Sequence, residues 1–250
     1  MKATSVLLGI LACFCSGAAR AGDLLDTCHA GSSYDLTLTA GSLVFERAAP
    51  ARRRIEMRDG ALRIDGVPMA LNAEDGDRLA LFAREVRALV PKARAIAQRG
   101  LDIAAGVVRS ETRTLVASPQ ARAELDRRIA VHVAELRRRI ATSDSTRDWQ
   151  GAAFERDVDA MAGDLVPLLT AELGGQAVTA ALGGDVDAAM ALQARAGELG
   201  NGLQPKIERR LGELRPDVAA LCPAIRRLQE LQQGLRDGNG RALELLEIYR

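Results

Sequence analysis

Two histidines, His29 and His132, are the side chains best suited to acid–base chemistry or metal binding. His29 adjoins Cys28 and has no second histidine near it, so a metal site there would need distant carboxylates. His132 lies beside the apolar face of a predicted helix, where a structural role is favoured over that of a general base. Neither histidine belongs to a Ser/His/Asp or Cys/His arrangement. We therefore predict no catalytic residue, no cofactor-binding residue and no metal ligand.

The remaining candidate motifs have structural interpretations as well. The arginine run 52–54 could contact an anionic lipid head group or polymer, and the run 137–139 is interleaved with acidic residues; for both, a solvated face is the commoner interpretation. Gly174-Gly175 and Gly183-Gly184 lack the strand and the lysine of a phosphate loop, and are interpreted as helix stops. Trp149, the single tryptophan, is equally suited to be a docked anchor or an exposed contact.

The first 21 residues have the pattern of a secretory signal peptide. Lys2 precedes an apolar core at 6–12, and Ala19-Arg20-Ala21 is a small-x-small cleavage site. We expect cleavage between Ala21 and Gly22 and a periplasmic mature chain. Lipoprotein anchoring at Cys13 is the less favoured alternative, because the apolar run before it is short. No later stretch is expected to span a membrane.

Cleavage would leave two cysteines, Cys28 and Cys222. Two cysteines in an oxidising compartment usually pair, so we predict a disulfide between them. Free or catalytic thiols are the alternative, although the chain has no Cys-x-x-Cys motif.

Composition narrows the classes of function. Cleavage would remove Lys2 and Arg20 and shift the formal net charge from +1 to −1, which argues against electrostatic binding to nucleic acid. Hydrophobic residues make up 48% of the chain but aromatic residues only 3%, so the core must be aliphatic. A sugar or nucleobase site built on aromatic stacking is therefore hard to form.

Alternating apolar residues predict a small antiparallel meander of three to five strands within 34–71. Asp59-Gly60 and Asp65-Gly66 are strong hairpin signals, and Pro68 should lie on an edge strand or at a strand start. A sheet of this size is not stable alone, so it should pack on helices.

From Asn72 onward the apolar spacing is helical. Asn72, Ser118 and Asp185 are predicted helix caps. The predicted breaks or kinks are Pro91, Pro167, the two Gly-Gly pairs, Gly200, Pro216 and Pro223, and a loosely held segment follows at 241–249.

These features predict an α+β, mainly α, fold with a small N-terminal antiparallel β meander packed on a multi-helix bundle. The predicted organisation is a signal peptide at 1–21 and a single mostly helical domain at 22–250, with the β segment at 34–71 and helices at 72–250. The Ala- and Gly-rich stretch 165–200, which contains no aromatic residue, is expected at the crowded centre of the helices.

Several local motifs of the mature chain also support a resemblance to a known family. They are LRIDG (62–66), LNA (71–73), VRALVP (86–91), LVP (165–167), LGGQAV (173–178), ALGGD (181–185), LQARA (192–196) and LCP (221–223). With them the chain resembles the YggN-type family of uncharacterised bacterial periplasmic proteins. The resemblance implies a periplasmic protein with a short β segment followed by helices, and it supplies no activity.

Three hypotheses about function are compatible with these features. The leading one is a non-enzymatic helical scaffold or binding module of the cell envelope that acts through an unknown protein or lipid partner. The second is a carrier of a hydrophobic ligand held between helices. The third is an enzyme whose site is not recognisable from sequence. The oligomeric state is left open.

The predicted disulfide has a direct consequence for stability. Replacing Cys222 by Ser, or reducing the protein, should lower the melting temperature, because closing a loop of this length contributes roughly 4–5 kcal/mol in the chain-entropy account. Calorimetry with thiol alkylation tests this expectation. An unchanged melting temperature with both thiols free would contradict it.

Overall fold

The computed structural model describes residues 26–48, 52–149 and 151–249, without the side chains of 26, 149, 151–155, 196 and 198–201. The predicted signal peptide, its cleavage site at Ala21 and Gly22, and Cys13 lie outside the described residues, as does the side chain of Trp149.

The described elements are six α-helices and seven β-strands. The helices are α1 (Ala73–Arg113), α2 (Pro119–Thr142), α3 (Gly151–Leu182), α4 (Val186–Leu211), α5 (Arg215–Ala219) and α6 (Cys222–Gln233). The strands are β1 (Ala30–Gly31), β2 (Asp35–Leu38), β3 (Ser42–Arg47), β4 (Arg53–Arg58), β5 (Ala61–Ile64), β6 (Val67–Pro68) and β7 (Glu247–Ile248). The fold is mainly α with a small antiparallel sheet near the N-terminus, as predicted.

The described chain divides into two compact units. The sheet unit consists of the described residues of 23–97, 140–151 and 214–250, and the helical unit consists of 98–139 and 152–213. Helix α1 contributes its first part to the sheet unit and its last part to the helical unit. The prediction of a single domain over 22–250 remains a prediction.

The sheet unit contains the predicted meander. Strands β2 to β6 pair antiparallel in sequence order. The turns at Asp59-Gly60 and Asp65-Gly66 have positive φ at all four residues: 50° and 76° in the first turn, 51° and 84° in the second. This is the geometry of two-residue type I′ hairpins, in which glycine at the second position is favoured. Pro68 lies on the edge strand β6, as predicted.

Alternation along the strands directs one face of this sheet into an apolar core. Leu43, Phe45, Ile55, Met57 and Leu62 are buried there. The same core contains residues of three other parts of the unit, namely Leu79, Phe82 and Val86 of α1, Leu228 of α6, and Leu235, Leu243 and Leu245 after it. The rings of Phe45 and Phe82 lie 6.1 Å apart between centroids. The helices thus cover the sheet, as its small size requires.

The C-terminal segment 241–249 was expected to be loosely held, and this is wrong. Leu243 and Leu245 are 3% and 0% exposed, and β7 pairs with β1. The side-chain oxygen of the buried Gln232 accepts hydrogen bonds from the backbone N–H groups of Leu245 (3.1 Å) and Leu246 (2.8 Å). Long-range contacts with α6 and β1 therefore fix a segment that looks loose in sequence.

Cys28 and Cys222 lie at disulfide distance within the sheet unit. Their sulfur atoms are 2.04 Å apart and their Cα atoms 5.2 Å apart. Both cysteines are buried, at 8% and 7% exposure. The bond links the segment before β1 to the first residue of α6.

The helical unit contains the second apolar core. It is formed by aliphatic residues of α1, the loop after it, and α2 to α4: Ala105, Val107, Val108, Val116, Leu125, Ile129, Val133, Leu165 and Leu203. Of the four buried residues of α2, three belong to this core: Leu125, Ile129 and Val133.

Predicted helix starts agree with the structure. The Asn72 side-chain oxygen accepts from Asp75 N–H at 2.8 Å, and the Ser118 hydroxyl accepts from Ala121 N–H at 3.3 Å. The Asp185 carboxylate accepts from Ala188 N–H at 2.9 Å. Each cap satisfies a backbone donor that the first helical turn leaves without an intrahelical partner.

Several predicted breaks are wrong. Gly174-Gly175 does not end a helix, because α3 continues to Leu182, and Gly200 lies inside the continuous helix α4. Pro91 and Pro167 lie within α1 and α3, so neither ends its helix, and the kinks predicted there stay predictions. Arg215 was expected to leave helical geometry before Pro216, but it begins α5. Pro216 occupies a first-turn position of α5, where its missing N–H costs no helical hydrogen bond.

The buried C-terminal segment predicts a specific asymmetry between two leucines. Leu245→Ala should lower the free energy of unfolding by about 2–5 kcal/mol, because it leaves a cavity in the core. The matched control is Leu182→Ala, since Leu182 is 85% exposed. Urea unfolding of both variants measures the difference. Equal effects would contradict the placement of 241–249 in the core.

Candidate functional site

The two histidines occupy different surroundings. His29 is exposed with φ of 48°, and its backbone carbonyl accepts a hydrogen bond from Tyr249 N–H at 2.9 Å. Among the described residues, no group of three or more His, Cys, Asp or Glu side chains is placed to hold a metal ion.

His132 is part of a polar cluster between α2 and α3. Its Nε2 lies 3.1 Å from an Asp164 carboxylate oxygen, and the other oxygen of Asp164 accepts from Arg128 at 2.6 Å. Arg128 also donates to Glu124 at 2.7 Å. The His132 and Asp164 side chains are 23% and 39% exposed. Sequence reasoning did not pair His132 with Asp164, because 32 residues separate them and no local motif marks the contact.

This cluster has the character of an ion-pair network. Hydrogen bonds from Arg127 and Arg128 lower the pKa of Glu124 to about 2, so its carboxylate is ionised at neutral pH. Asp164 of α3 interacts with both Arg128 and His132 of α2. These contacts join α2 to α3.

The arginine runs make ion pairs. Arg54 pairs with Glu46, while Arg137 and Arg139 pair with Asp102 and Asp157. Arg138 pairs with Glu135, and Arg53 donates to Asp237 at 2.9 Å, where the Asp237 side chain is only 6% exposed. The hydrogen bond from Arg53, with those from the backbone of Arg241 and Asn239, lowers the pKa of Asp237.

Glu172 on α3 accepts hydrogen bonds from the backbone just before α2. One carboxylate oxygen accepts from the backbone N–H groups of Ala117 (3.2 Å) and Ser118 (3.1 Å) and from the Gln176 amide (3.0 Å). The Ser118 N–H makes the largest contribution to lowering the pKa of Glu172 below its ordinary value. Gln176 also donates to the carbonyl of Leu115 at 3.0 Å.

A groove of about 510 Å³ runs along the same part of α3. It is lined by Ala171, Glu172, Gly175, Gln176, Thr179 and Ala180. The groove is open to solvent. Its charged side chain is Glu172, which already accepts hydrogen bonds from the backbone just before α2. It therefore differs from an enclosed apolar pocket for a hydrophobic ligand.

Beyond Gln176 the α3–α4 hairpin becomes apolar and exposed, so the expectation that the stretch 165–200 lies at the crowded centre of the helices is wrong for this part of it. We call residues 178–190, which contain the turn between the helices, the hairpin end. Val178 and Leu182 on α3 are 60% and 85% exposed, and Val186 and Met190 on α4 are 61% and 58% exposed. The i,i+4 spacing places each pair on one face of its helix.

The turn of the hairpin end is sharply defined. Gly184 has φ of 77°, and backbone hydrogen bonds join Gly184 to Ala181 (3.1 Å) and Asp185 to Ala180 (2.9 Å). This is a Schellman ending, which requires a residue that tolerates positive φ. Since the Asp185 side chain then caps α4, the turn fixes where the second helix begins.

By length and composition, segment Arg156–Leu182 of α3 could cross a membrane, with mean hydropathy 1.3 and 6% of its most apolar window buried. The expectation that no stretch after the signal is long and apolar enough does not hold for this segment. One such helix is weak evidence of a membrane span, so the prediction of no transmembrane segment stays a prediction.

Comparison with known proteins gives one match. A family model described as "Protein of unknown function (DUF2884)" matches residues 28–240. No curated protein and no solved structure matches the chain.

The Glu172 contacts predict a pH-dependent contribution to stability. Glu172→Gln should destabilise the protein at neutral pH, because the carboxylate that accepts the backbone N–H groups is lost. Since the folded-state pKa of Glu172 lies below its ordinary value, this contribution is present above the unfolded pKa and disappears as pH falls through the folded pKa. Urea unfolding at neutral and acidic pH measures the change.

The exposed Glu244 provides the control variant, Glu244→Gln. The difference in unfolding free energy between wild type and Glu172→Gln should shrink on acidification, whereas Glu244→Gln should stay close to wild type. A Glu172→Gln difference that grows as pH falls would contradict the assignment.

Proposed function

Because the chain belongs to the DUF2884 family of proteins of unknown function, we propose a role from its own geometry: a periplasmic helical scaffold or binding module acting through its hairpin end. The observation that carries this proposal is the exposure of four large apolar side chains there. Isolated surface leucines and valines are common, but an apolar cluster on a projecting hairpin is typical of a protein or membrane interaction site.

The contacts of α3 with the loop before α2 support a hairpin end that extends beyond that loop. Glu172 and Gln176 contact residues 115–118, the loop between α1 and α2. From Gln176 to Leu182, α3 continues for about 9 Å at 1.5 Å per residue. The large apolar residues of the hairpin end therefore lie beyond the hydrogen bonds that Glu172 and Gln176 make with that loop, where a partner can reach them.

The polar clusters support a non-catalytic role. Asp164 is held by Arg128 and His132, and Glu172 is held by backbone N–H groups. Such contacts are typical of side chains that stabilise helix packing.

Export is part of the proposal. The signal-like pattern at 1–21 and the pairing of Cys28 with Cys222 both fit an oxidising compartment. On the residues quoted above, we further propose that the protein is of the YggN type and of bacterial origin, and that it has no bound cofactor.

Site-specific photo-crosslinking in intact cells tests this role. A photoreactive residue at Met190, which is 58% exposed, should give a discrete adduct. The same residue at Val131 on α2, which is 56% exposed, should give none and serves as the matched control. The protein should be recovered from the periplasmic fraction with Gly22 as its first residue.

A neighbouring substitution strengthens the test. Val186→Glu places a charge on the same face of α4 and should abolish the adduct at Met190 without lowering the melting temperature. Equal yields at Met190 and Val131, or no adduct at either position, would contradict a docking role for the hairpin end.

A further inference from the structure

We propose that the Cys28–Cys222 disulfide is a redox-dependent latch that holds the C-terminal strap, residues 243–249, on the core of the sheet unit. This inference goes beyond the proposed function, because it concerns the sheet unit and not the hairpin end. Its evidence is the set of contacts that hold the strap.

Segment 28–32, near the N-terminal end of the described chain, makes the first set of contacts. The backbone carbonyl of His29 accepts a hydrogen bond from Tyr249 N–H at 2.9 Å, and β1 pairs with β7. The Ser32 hydroxyl donates to the carbonyl of Leu245 at 2.6 Å. Segment 28–32 therefore holds the strap at several points along its length.

Helix α6 makes the second set of contacts through Gln232. The side-chain oxygen of Gln232 accepts from the backbone N–H groups of Leu245 and Leu246, and its side-chain nitrogen donates to the carbonyl of Leu246. Gln232 is only 4% exposed, so these hydrogen bonds are largely shielded from water. Leaving such groups without partners is costly, so α6 holds the strap firmly.

The disulfide links these two holders covalently. Cys28 begins segment 28–32, and Cys222 is the first residue of α6. Strand β1 is two residues long and pairs with β7 in a two-stranded sheet, which is not stable alone. The disulfide keeps segment 28–32 beside the strap, at an effective concentration that a free chain end would not have.

The strap completes the apolar core of the sheet unit. Leu243 and Leu245 belong to the same core as Phe45 of β3 and Leu228 of α6. Each opening of the strap therefore brings apolar core residues into contact with water. The disulfide makes such openings rarer.

Oxidation closes the latch. The two thiols lose two protons and two electrons to a disulfide-bearing oxidant, which is reduced to two thiols as the S–S bond forms. The two cysteines are 194 residues apart in sequence, so the latch closes only on a nearly complete chain. The place of closure rests on the proposed export: the strap stays unlatched in a reducing compartment and is fixed in an oxidising one.

A latch and a general staple have different consequences. In the chain-entropy account the bond destabilises the unfolded chain, so losing it raises global unfolding and affects all core amides that exchange by that route. A latch instead limits the local opening of one segment within the folded protein. Amide hydrogen exchange distinguishes the two.

Exchange on the purified mature chain, residues 22–250, tests the latch. In the variant Cys28→Ala with Cys222→Ala, the N–H groups of Leu245, Leu246 and Tyr249 should exchange on the order of tenfold faster than in the disulfide-bonded protein. The backbone amides of β3, β4 and α2 should change far less. Reduced wild type should match the variant, and glutathione disulfide should restore slow exchange.

Two results overturn the proposal. One is equal exchange of the strap amides with and without the disulfide. The other is acceleration by the same factor in the strap and in β3 and β4, which is the result of a general staple. Exchange on purified protein does not depend on the compartment, so the latch can fail while export holds, and the reverse.

The variant Ser32→Ala tests the same contacts with the disulfide intact, and it remains informative when the cysteine variant does not fold. It should speed exchange at the same three amides, because one contact of segment 28–32 with the strap is lost. Ser110→Ala is the matched control, since the Ser110 hydroxyl donates to the carbonyl of Val107 within α1. Unchanged strap exchange in Ser32→Ala also overturns the proposal.

Discussion

An apolar helix face in water has to be covered, and this constraint distinguishes the two ends of the α3–α4 hairpin. Leu165 and Leu203 are covered by α1 and α2 in the core of the helical unit. Val178, Leu182, Val186 and Met190 are left exposed. At roughly 25 cal/mol per Å² of apolar surface, leaving them uncovered forgoes stabilisation that burial would supply. The stability of the unit therefore depends on one end of the hairpin, and the other end has its surface available for binding.

The features that the sequence predicted correctly are encoded locally. The Asp-Gly turns place positive φ at residues that tolerate it, and the caps Asn72, Ser118 and Asp185 satisfy donors within three residues of themselves. Apolar spacing was sufficient to predict the meander and the buried face of α2. The fold class follows from these local signals together.

The features that the sequence missed depend on distant contacts. Gly174-Gly175 stays helical because α3 is anchored on both sides of it, by Leu165 in the core and by Gln176 on the carbonyl of Leu115. Segment 241–249 looks loose until Gln232 supplies its backbone partners. The contact of His132 with Asp164 is equally non-local. Such contacts form only once the chain has folded, so neither propensity nor spacing could identify them.

The charged residues of the hairpin, like its apolar residues, have different surroundings at its base and at its turn. Asp157 and Asp164 near its base are paired with Arg139 and Arg128 of α2, and Glu172 is paired with backbone N–H groups. Those interactions position the hairpin on the rest of the helical unit. Asp187 lies in the first turn of α4, where a carboxylate complements the helix dipole. The acidic residues at the base thus hold the hairpin in place, whereas Asp185 and Asp187 at its turn belong to the start of α4, and the large apolar side chains beside them stay exposed.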